Sequence, residues 1–281
     1  MIFGPRPEIK SRPQLRAMAE AGHIVHAMLQ AVRDAIEPGI STLELDSIAE
    51  KVCREEGARP NFKGYHGFPG TICASVNEQI VHGIPSADTV LAPGDVVSID
   101  CGCSVAGPNK RRWHGDSAAT FIVPPANPLD QELSDITRNA MWAGIAALVG
   151  ATRVGVVGEA IEAYVRNHPV AGTELGIVEE FVGHGIGSQM HQPPDVVNFA
   201  SHDHGARIRS GMAICVEPML TRGSPANATL DDDWTVVTQD GSRAAHWEQE
   251  IALVDGGIRI LTLPDGGAAE LARFGITPVD L

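Results

Sequence analysis

A chain of 281 residues with 43% hydrophobic and 20% charged side chains has ample material for a core, in one large domain or two ordinary ones. Its formal net charge of −14 argues against DNA, RNA or an anionic membrane as a bulk electrostatic partner. The five scattered cysteines, the lack of a signal sequence and the lack of a long apolar run predict a cytoplasmic protein with reduced thiols and no membrane span.

The first part of the chain is predicted to form two helices followed by strands. Residues 1–10 hold two prolines and no periodicity, which predicts an extended N-terminal arm. Apolar residues at helical spacing predict a helix over 11–36, ended by a Glu-Pro-Gly sequence. A Ser-Thr-Leu-Glu capping box opens a second helix over 42–56, which stops at a glycine. Two strand-like segments follow, at 71–76 and 79–82.

An acidic hairpin is predicted next, from two short runs rich in Val, Ile, Thr and Phe. Asp100 closes the run 94–100, and Asp116 opens the run 116–123. If the strands pair antiparallel, the two carboxylates lie side by side, where like charges destabilise the pair. A shared proton or a bound metal ion would relieve that repulsion. The rest of the sequence favours the metal.

The order of elements starts again after a proline-rich break at 124–128. A long apolar-periodic helix is predicted over 129–149, and the segment after it parallels the start of the second helix. The run 211–217 repeats the glycine-to-acid spacing of the first hairpin strand, and 248–254 is again a strand led by an acid. An internal duplication of a helix-helix-hairpin unit follows from this order, and it would bring the acids onto one shared face.

A histidine between glycines adds an imidazole to these acids. Glycines beside His184 permit close backbone approach, and the residues around it carry the second half of the repeat. This donor set is too acidic for structural zinc and too rich in imidazole for a calcium cage. It suits two divalent ions such as Co, Mn, Fe, Zn or Ni bridged by carboxylates. The candidate ligands are Asp100, Asp116, His184, Glu217 and Glu250.

At this point the sequence resembles a known family along most of its length, from about residue 11 to about residue 263. Its motifs are similar to those of the type I methionine aminopeptidases, members of the pita-bread metallopeptidase family M24. The motifs occur in the family's order: Phe62-Lys-Gly-Tyr-His-Gly-Phe-Pro69, Cys73-Ala-Ser-Val-Asn-Glu-Gln-Ile-Val-His-Gly-Ile-Pro85, Val97-Ser-Ile-Asp100, His114-Gly-Asp-Ser117, Gly183-His-Gly-Ile-Gly187, Val216-Glu-Pro-Met219 and Glu248-Gln-Glu-Ile251.

The resemblance implies an α+β pita-bread fold, also called the creatinase/aminopeptidase fold. In that fold two helix-helix-hairpin halves, related by a pseudo-twofold axis, form a curved antiparallel sheet covered by helices. We therefore expect a single catalytic domain over 11–281, with halves at about 11–125 and 126–263 and a C-terminal tail over 264–281.

The resemblance also implies a role for each site residue. Asp100 would bind one ion, His184 and Glu217 the other, and Asp116 and Glu250 would bridge the two ions. Glu217 would be the general base, His82 would contact the substrate near its N-terminal amide, and His191 would stabilise the tetrahedral intermediate. The side-chain pocket would be lined by Tyr65, Phe68, Cys73, His82, Met190, His191 and Trp234.

The implied activity is removal of the initiator methionine from nascent proteins when the next residue is small, by hydrolysis with a metal-bridging hydroxide. An X-Pro or other aminopeptidase of the same fold and a non-catalytic binding module are the alternatives. The chain shows neither the zinc-finger region of type II enzymes nor the extra N-terminal domain of X-Pro enzymes. We expect a monomer. A basic stretch, 110–112, within a long connection over 101–115 is a candidate ribosome contact, with an ordinary solvated loop as the alternative.

Overall fold

The helices form at the caps that the sequence predicted. The computed structural model describes residues 6–281, so residues 1–5 of the predicted arm lie outside the described residues. At the start of the second helix the Ser41 hydroxyl accepts from Glu44 N–H, and the Glu44 carboxylate accepts from Ser41 N–H. The helices are α1 (Arg12–Ala35), α2 (Thr42–Glu55), α3 (Pro128–Ala147), α4 (Val156–Arg166) and α5 (Ala268–Leu271).

The strands pair antiparallel. Most of them are short, and the exception is one long hairpin in the first half. They are β1 (Arg59–Pro60), β2 (Ile72–Val76), β3 (Gln79–Val81), β4 (Val96–Ala106), β5 (Arg112–Ile122), β6 (Gly176–Ile177), β7 (Gly183–Gly185), β8 (Gln192–Val196), β9 (Met212–Val216), β10 (Met219–Thr221), β11 (Asn227–Thr229), β12 (Val236–Thr238), β13 (Ala244–His246), β14 (Gln249–Val254) and β15 (Gly257–Ile260).

The acidic hairpin is longer than the sequence predicted, and this corrects the expectation of a long basic connection. β4 and β5 pair along their whole length, so the connection shrinks to five residues, 107–111. The strands continue past the acids because alternate residues there pack against α1. Cys101 and Cys103 are fully buried on that side, and Trp113, which looked like part of a basic loop, is 1% exposed.

The first half has its core between the two helices and the hairpin. The apolar face of α1 packs with α2 against β4 and β5. The helix approaches β5 closely at Gly115, where a Cβ atom would overlap the backbone of α1 at Ala21 and Gly22. Burial of this continuous face holds the long hairpin in place from behind, and the opposite face of the hairpin carries Asp100 and Asp116.

The second half repeats this arrangement, which confirms the predicted duplication and the α+β pita-bread fold. Helices α3 and α4 pack together against β9 and β14, the strands that carry the second pair of acids. The halves meet where β5 runs beside the start of β14: Glu248 N–H donates to the Ala118 carbonyl at 2.9 Å, and the Ser117 hydroxyl donates to the Glu248 carbonyl at 2.7 Å. The acids of both halves therefore share one face.

The two chain ends pack on this body. Residues 6–10 form neither helix nor strand, as expected of an extended arm, but Lys10 N–H donates to the Gly211 carbonyl at 2.7 Å. In the predicted tail, the Leu281 carbonyl accepts two bonds from the Arg16 guanidinium, at 2.6 and 3.0 Å. Over residues 6–281, none of the helices combines the length and the apolarity that crossing a membrane requires.

Candidate metal centre

The two aspartates lie close together in the middle of the long hairpin. Asp116 pairs with Gly102, two positions from Asp100 on β4, so both carboxylates project from the same face of the sheet. Asp116 is 2% exposed. Oxygen atoms of Asp100, Asp116 and Glu248 all lie within 4.8 Å of one another. The predicted proximity of the aspartates is thus present, although neither residue stands at a strand end.

The glutamate that joins them is Glu248, and the geometry corrects the choice of Glu250 as a bridging ligand. Glu248 lines the cavity above the aspartates, whereas Glu250 does not. Gln249 pairs with Val216 across β14 and β9, so the next residues outward, Glu248 and Glu217, lie opposite each other. Glu250 instead pairs with Cys215. Glu248 immediately precedes β14 and Glu250 lies within it, so the register with β9 distinguishes them.

His184 adds the imidazole expected from the sequence. It lies on β7, and its Nε2 is 3.4 Å from an Oε atom of Glu217. Burial lowers the pKa of His184 to about 3, so the ring is neutral at pH 7. Its Nδ1–H donates to the Gly185 carbonyl at 3.0 Å, which leaves Nε2 free to bind a metal. The ring of His191 lies edge-on at 4.4 Å between centroids. Cys215 also lies near His184 and Glu248, but burial and the neighbouring acids raise the pKa of its thiol.

The acids match the donors that a divalent ion requires. One carboxylate oxygen on each of the four acids that line the cavity is buried and has no hydrogen-bond partner among the described residues. Buried carboxylates without donors are costly, and divalent cations satisfy them. An oxygen-rich set with one imidazole suits Mn, Fe, Co, Ni or Zn rather than a structural zinc site. The four acids are Asp100, Asp116, Glu217 and Glu248.

We expect the metal-free protein to lose stability as the pH rises from 6.5 to 8. Burial raises the pKa of Asp100 to about 7, and burial with neighbouring acids raises the pKa of Asp116 and Glu248. The folded state therefore holds protons that the unfolded chain has already lost, and the free energy of unfolding falls as they dissociate. Below pH 6.5 the buried histidines, whose pKa is lowered, oppose this trend; above pH 8 Lys10, with a pKa of about 8, does so.

Calorimetric melting of the metal-free protein at both ends of this interval checks the prediction. The melting temperature should be lower at pH 8 than at pH 6.5, and a saturating divalent ion should remove or reverse the difference, because it replaces the protons. A metal-free protein that melts at the same or a higher temperature at pH 8 would contradict the assignment of raised carboxyl pKa values.

An apolar cavity of about 290 Å³ opens onto the acids. One wall of this cavity is a cluster of Phe62, Phe68, Cys73 and Met190, with Trp234 packed against it. Cys73 pairs with Asp100 across β2 and β4, so this wall borders the carboxylates directly. The structure thus brings every predicted pocket residue to one cavity; all of them line it, together with Phe62 and His66.

Two of the predicted histidines face this cavity from opposite sides. His82 directly follows β3 with a φ of 60°, an unusual backbone conformation for a residue with a side chain, and its ring centroid lies 6.1 Å from that of Trp234. Burial lowers the pKa of His82 to about 4. On the other side the Tyr65 hydroxyl lies 3.1 Å from Nδ1 of His191. Sequence analysis missed Phe62, His66 and Glu248, although all three stand within the motifs quoted above.

Clustered buried acids and a neutral imidazole beside an apolar cavity, on a pita-bread scaffold, define a metal-dependent hydrolase. Residues 16–260 match the sequence model of metallopeptidase family M24. The chain belongs to metallopeptidase family M24.

Curated relatives and solved structures show which members of this family the chain is most similar to among those compared. The chain is 51% identical over 255 residues to methionine aminopeptidase 1 of Mycobacterium tuberculosis, covering 90% of this chain and 94% of that protein. It is 41% identical to methionine aminopeptidase 1 of Bacillus subtilis, over 90% of this chain and 98% of that protein. The crystal structure of the Thermotoga maritima methionine aminopeptidase superposes with a TM-score of 0.85 and 32% identity, over 92% of this chain and 99% of that one. The predicted resemblance to the methionine aminopeptidases is confirmed.

Enzymes of the alternative specificity share the fold at lower similarity. The prolidase of Pyrococcus furiosus superposes with a TM-score of 0.69 at 19% identity, over 91% of this chain and 65% of that one. At this identity the likeness shows the fold alone.

Proposed function

We propose that this chain is an aminopeptidase that removes the N-terminal methionine of nascent polypeptides when the next residue is small. The observation that carries the proposal is the direct contact between an apolar, sulfur-containing cavity and a cluster of buried acids, at Cys73 and Asp100. Such a cavity accommodates the flexible methionine thioether. The names of the relatives with 51% and 41% identity support the same substrate.

The donor set is proposed to hold two divalent ions, of Co, Mn, Fe, Zn or Ni. Asp100 would bind one ion, and His184 with Glu217 would bind the other. Asp116 and Glu248 would bridge them, since both lie between the separate donors and have an oxygen without a hydrogen-bond partner. When bound, such ions supply Lewis acidity and lower the pKa of a coordinated water.

The surrounding side chains are proposed to position the substrate and move its protons. Glu217, 9% exposed beside His184, is placed to accept a proton from the attacking water as general base. The Tyr65 hydroxyl, 3.1 Å from Nδ1 of His191, is proposed to donate to it, so that the ring carries its proton on Nε2. That proton is available to the carbonyl oxygen of the scissile peptide as negative charge develops on it. His82, across the cavity, would contact the substrate amide.

We expect Met190→Ala to raise KM for the tripeptide Met-Ala-Ser by about tenfold. Met190 is 4% exposed and forms one wall of the cavity, so its truncation removes apolar contact with the methionine side chain, worth about 1.5 kcal/mol. Steady-state kinetics of methionine release checks this, with Met190→Leu as the volume-matched control that keeps KM within about threefold. An unchanged KM in the alanine variant would place the substrate side chain elsewhere.

A comparison of two peptide substrates distinguishes the proposed function from its alternatives. Purified metal-loaded protein is incubated with Met-Ala-Ser and with Ala-Pro-Ser, and the released amino acids are measured. Release of methionine alone supports the proposal. Cleavage of the Ala-Pro peptide alone would assign an X-Pro specificity, and no release from either peptide by folded, metal-loaded protein would favour a binding module.

We propose that the enzyme acts as a monomer in the cytoplasm, where nascent chains emerge.

A ribosome contact through the basic stretch 110–112 has less support than the sequence suggested. The Arg112 guanidinium bonds to Ser104, and the Arg111 guanidinium lies 3.6 Å from a carboxylate oxygen of Glu8. If replacement of Lys110, Arg111 and Arg112 by alanine leaves salt-sensitive co-sedimentation with ribosomes unchanged, this contact is excluded.

A further inference from the structure

The loop 186–191 joins β7 to β8 and carries two residues of the proposed site. Met190 forms part of one cavity wall, where it packs in a cluster with Phe62 and Phe68. His191 is exposed, and among the described residues the Tyr65 hydroxyl is the hydrogen-bond partner of its ring. Packing holds an exposed side chain only weakly, so the position of His191 depends on the conformation of the loop backbone.

Glu8 of the N-terminal arm binds residues on either side of Met190 and His191. One carboxylate oxygen accepts from Ser188 N–H at 2.9 Å and from the Gln192 side-chain amide at 3.1 Å. The other oxygen accepts from the Ser188 hydroxyl at 2.8 Å. Burial opposes ionisation of Glu8, but these hydrogen bonds together outweigh it and lower the pKa below its usual value. The group is therefore a carboxylate at pH 7, and all of its hydrogen bonds are accepted.

The arm lies close against the loop and is anchored outside it. Gly187 permits the close approach, since a Cβ atom there would overlap both the Glu8 carboxylate and the Lys10 side chain. Lys10 N–H donates to the Gly211 carbonyl at 2.7 Å, which fixes the arm at the residue before β9. From the connection between β4 and β5, the Arg111 guanidinium lies 3.6 Å from a carboxylate oxygen of Glu8. Glu8 thus has fixed neighbours on two other segments.

We propose that Glu8 is a positioning residue that holds the loop 186–191 through its hydrogen bonds and so keeps the His191 imidazole within reach of the scissile carbonyl. A carboxylate that binds two points of a loop restricts its conformations, and a small displacement of a catalytic donor lowers the rate. The inference rests on the proposed function in taking His191 as the donor to the developing negative charge. The link between Glu8 and the loop does not depend on that role.

Hydrogen exchange tests the link without reference to activity. In Glu8→Ala the Ser188 N–H loses its acceptor, so its exchange rate, followed by mass spectrometry in peptides that span 187–192, should rise about tenfold. Peptides from α1 and α3 should exchange as in the unmodified protein. An unchanged exchange rate in 187–192 would overturn the proposal.

Kinetics then test the positioning role. Glu8→Ala should lower kcat for Met-Ala-Ser about tenfold, because His191 is displaced, while the content of metal ions stays the same. KM should change less than kcat, since Met190 keeps its apolar neighbours. An unchanged kcat in a variant whose loop exchanges faster would overturn the proposal, and so would a loss of bound ions.

Glu8→Gln separates hydrogen bonding from charge. Its amide keeps one oxygen to accept from the N–H groups of Ser188 and Gln192, and its NH₂ group can donate to the Ser188 hydroxyl. This variant should therefore match the unmodified protein in both exchange and kcat. A glutamine variant as impaired as the alanine variant would assign the effect to charge and overturn the proposal.

The matched control is Asp240→Ala. The Asp240 carboxylate also binds a distant backbone group, the Ser224 N–H at 2.7 Å, but neither residue lines the cavity. This variant should speed exchange near residue 224 and leave kcat unchanged. A fall in kcat as large as that of Glu8→Ala would show the kinetic effect to be unspecific and contradict the positioning role.

Two further outcomes are decisive in the same set of proteins. If Glu8→Ala does not fold, Gln192→Ala breaks one of the three hydrogen bonds from the loop side and should also lower kcat; an unchanged kcat would overturn the proposal. If the unmodified protein releases no methionine, the proposed function fails, and the exchange measurement still decides whether Glu8 holds the loop. If the unmodified protein is active and exchange in 187–192 is unaffected, only the present inference fails.

Discussion

Replacing Glu248 by alanine is expected to lower kcat/KM for Met-Ala-Ser by more than about 10²-fold and to remove at least one bound ion. Loss of a residue that merely supports a metal ligand lowers affinity or activity by about 10–100-fold, so loss of a bridging ligand should exceed that range. Glu248 is 2% exposed and lies within 4.8 Å of oxygens of both Asp100 and Asp116. The measurements are metal content after dialysis and the rate of methionine release.

The control for this variant is Glu132→Ala, on the exposed side of α3, which should keep full metal content and activity. A Glu248→Ala protein that binds the same ions with the same affinity would contradict the assignment of the bridging position. Together with Glu250→Gln, this variant also decides between Glu248 and Glu250, which sequence analysis chose as the bridging ligand.

Replacing His191 by alanine is expected to lower kcat by about 10²–10³-fold while metal content stays unchanged. The loss has the size expected when one donor to a developing oxyanion is removed. Because Tyr65 is proposed to donate to His191, Tyr65→Phe should lower kcat in the same direction by about tenfold, through the ring's orientation and tautomer. Kinetics of methionine release and metal analysis of the same samples check both variants.

His202→Ala, in an exposed loop, is the matched control and should match the unmodified protein. If His191→Ala loses its ions, the residue is a metal ligand and its assigned role is wrong. If kcat is unchanged, another group stabilises the developing charge.

Local signals were sufficient to predict most helices and the grouping of the acids. The capping box at Ser41 and the proline-glycine stop after α1 act within a few residues, so sequence reasoning located both helices to within one or two residues. The repeat likewise predicted two hairpins that face each other, because equivalent strands in related halves carry equivalent side chains.

The choice between Glu248 and Glu250 could not be made from alternation. Glu248 immediately precedes β14 and Glu250 lies within it, and their difference depends on pairing with β9, which is a contact between distant segments. The length of the first hairpin was underestimated for a related reason. Sequence analysis treated residues 101–115 as a connection, but packing of Cys103 and Trp113 against α1 extends both strands.

The N-terminal arm shows a further limit of local reasoning. Glu8 and Lys10 have no periodicity that would mark them as structural, yet the Glu8 carboxylate bonds to Ser188 and Gln192, and the Lys10 N–H bonds to the Gly211 carbonyl. These contacts form only once the second half is folded. A segment that resembled an unstructured tail therefore connects the loop between His184 and His191 with the residue that precedes β9.

The central claim is that this protein is a metal-dependent methionine aminopeptidase, and reconstitution tests it most directly. Metal-stripped protein is incubated with Met-Ala-Ser after addition of Mn, Fe, Co, Ni or Zn, and free methionine is measured. We predict no release without metal and release restored by at least one of these ions. Absence of release with every ion, from protein shown to be folded and to bind metal, would contradict the account.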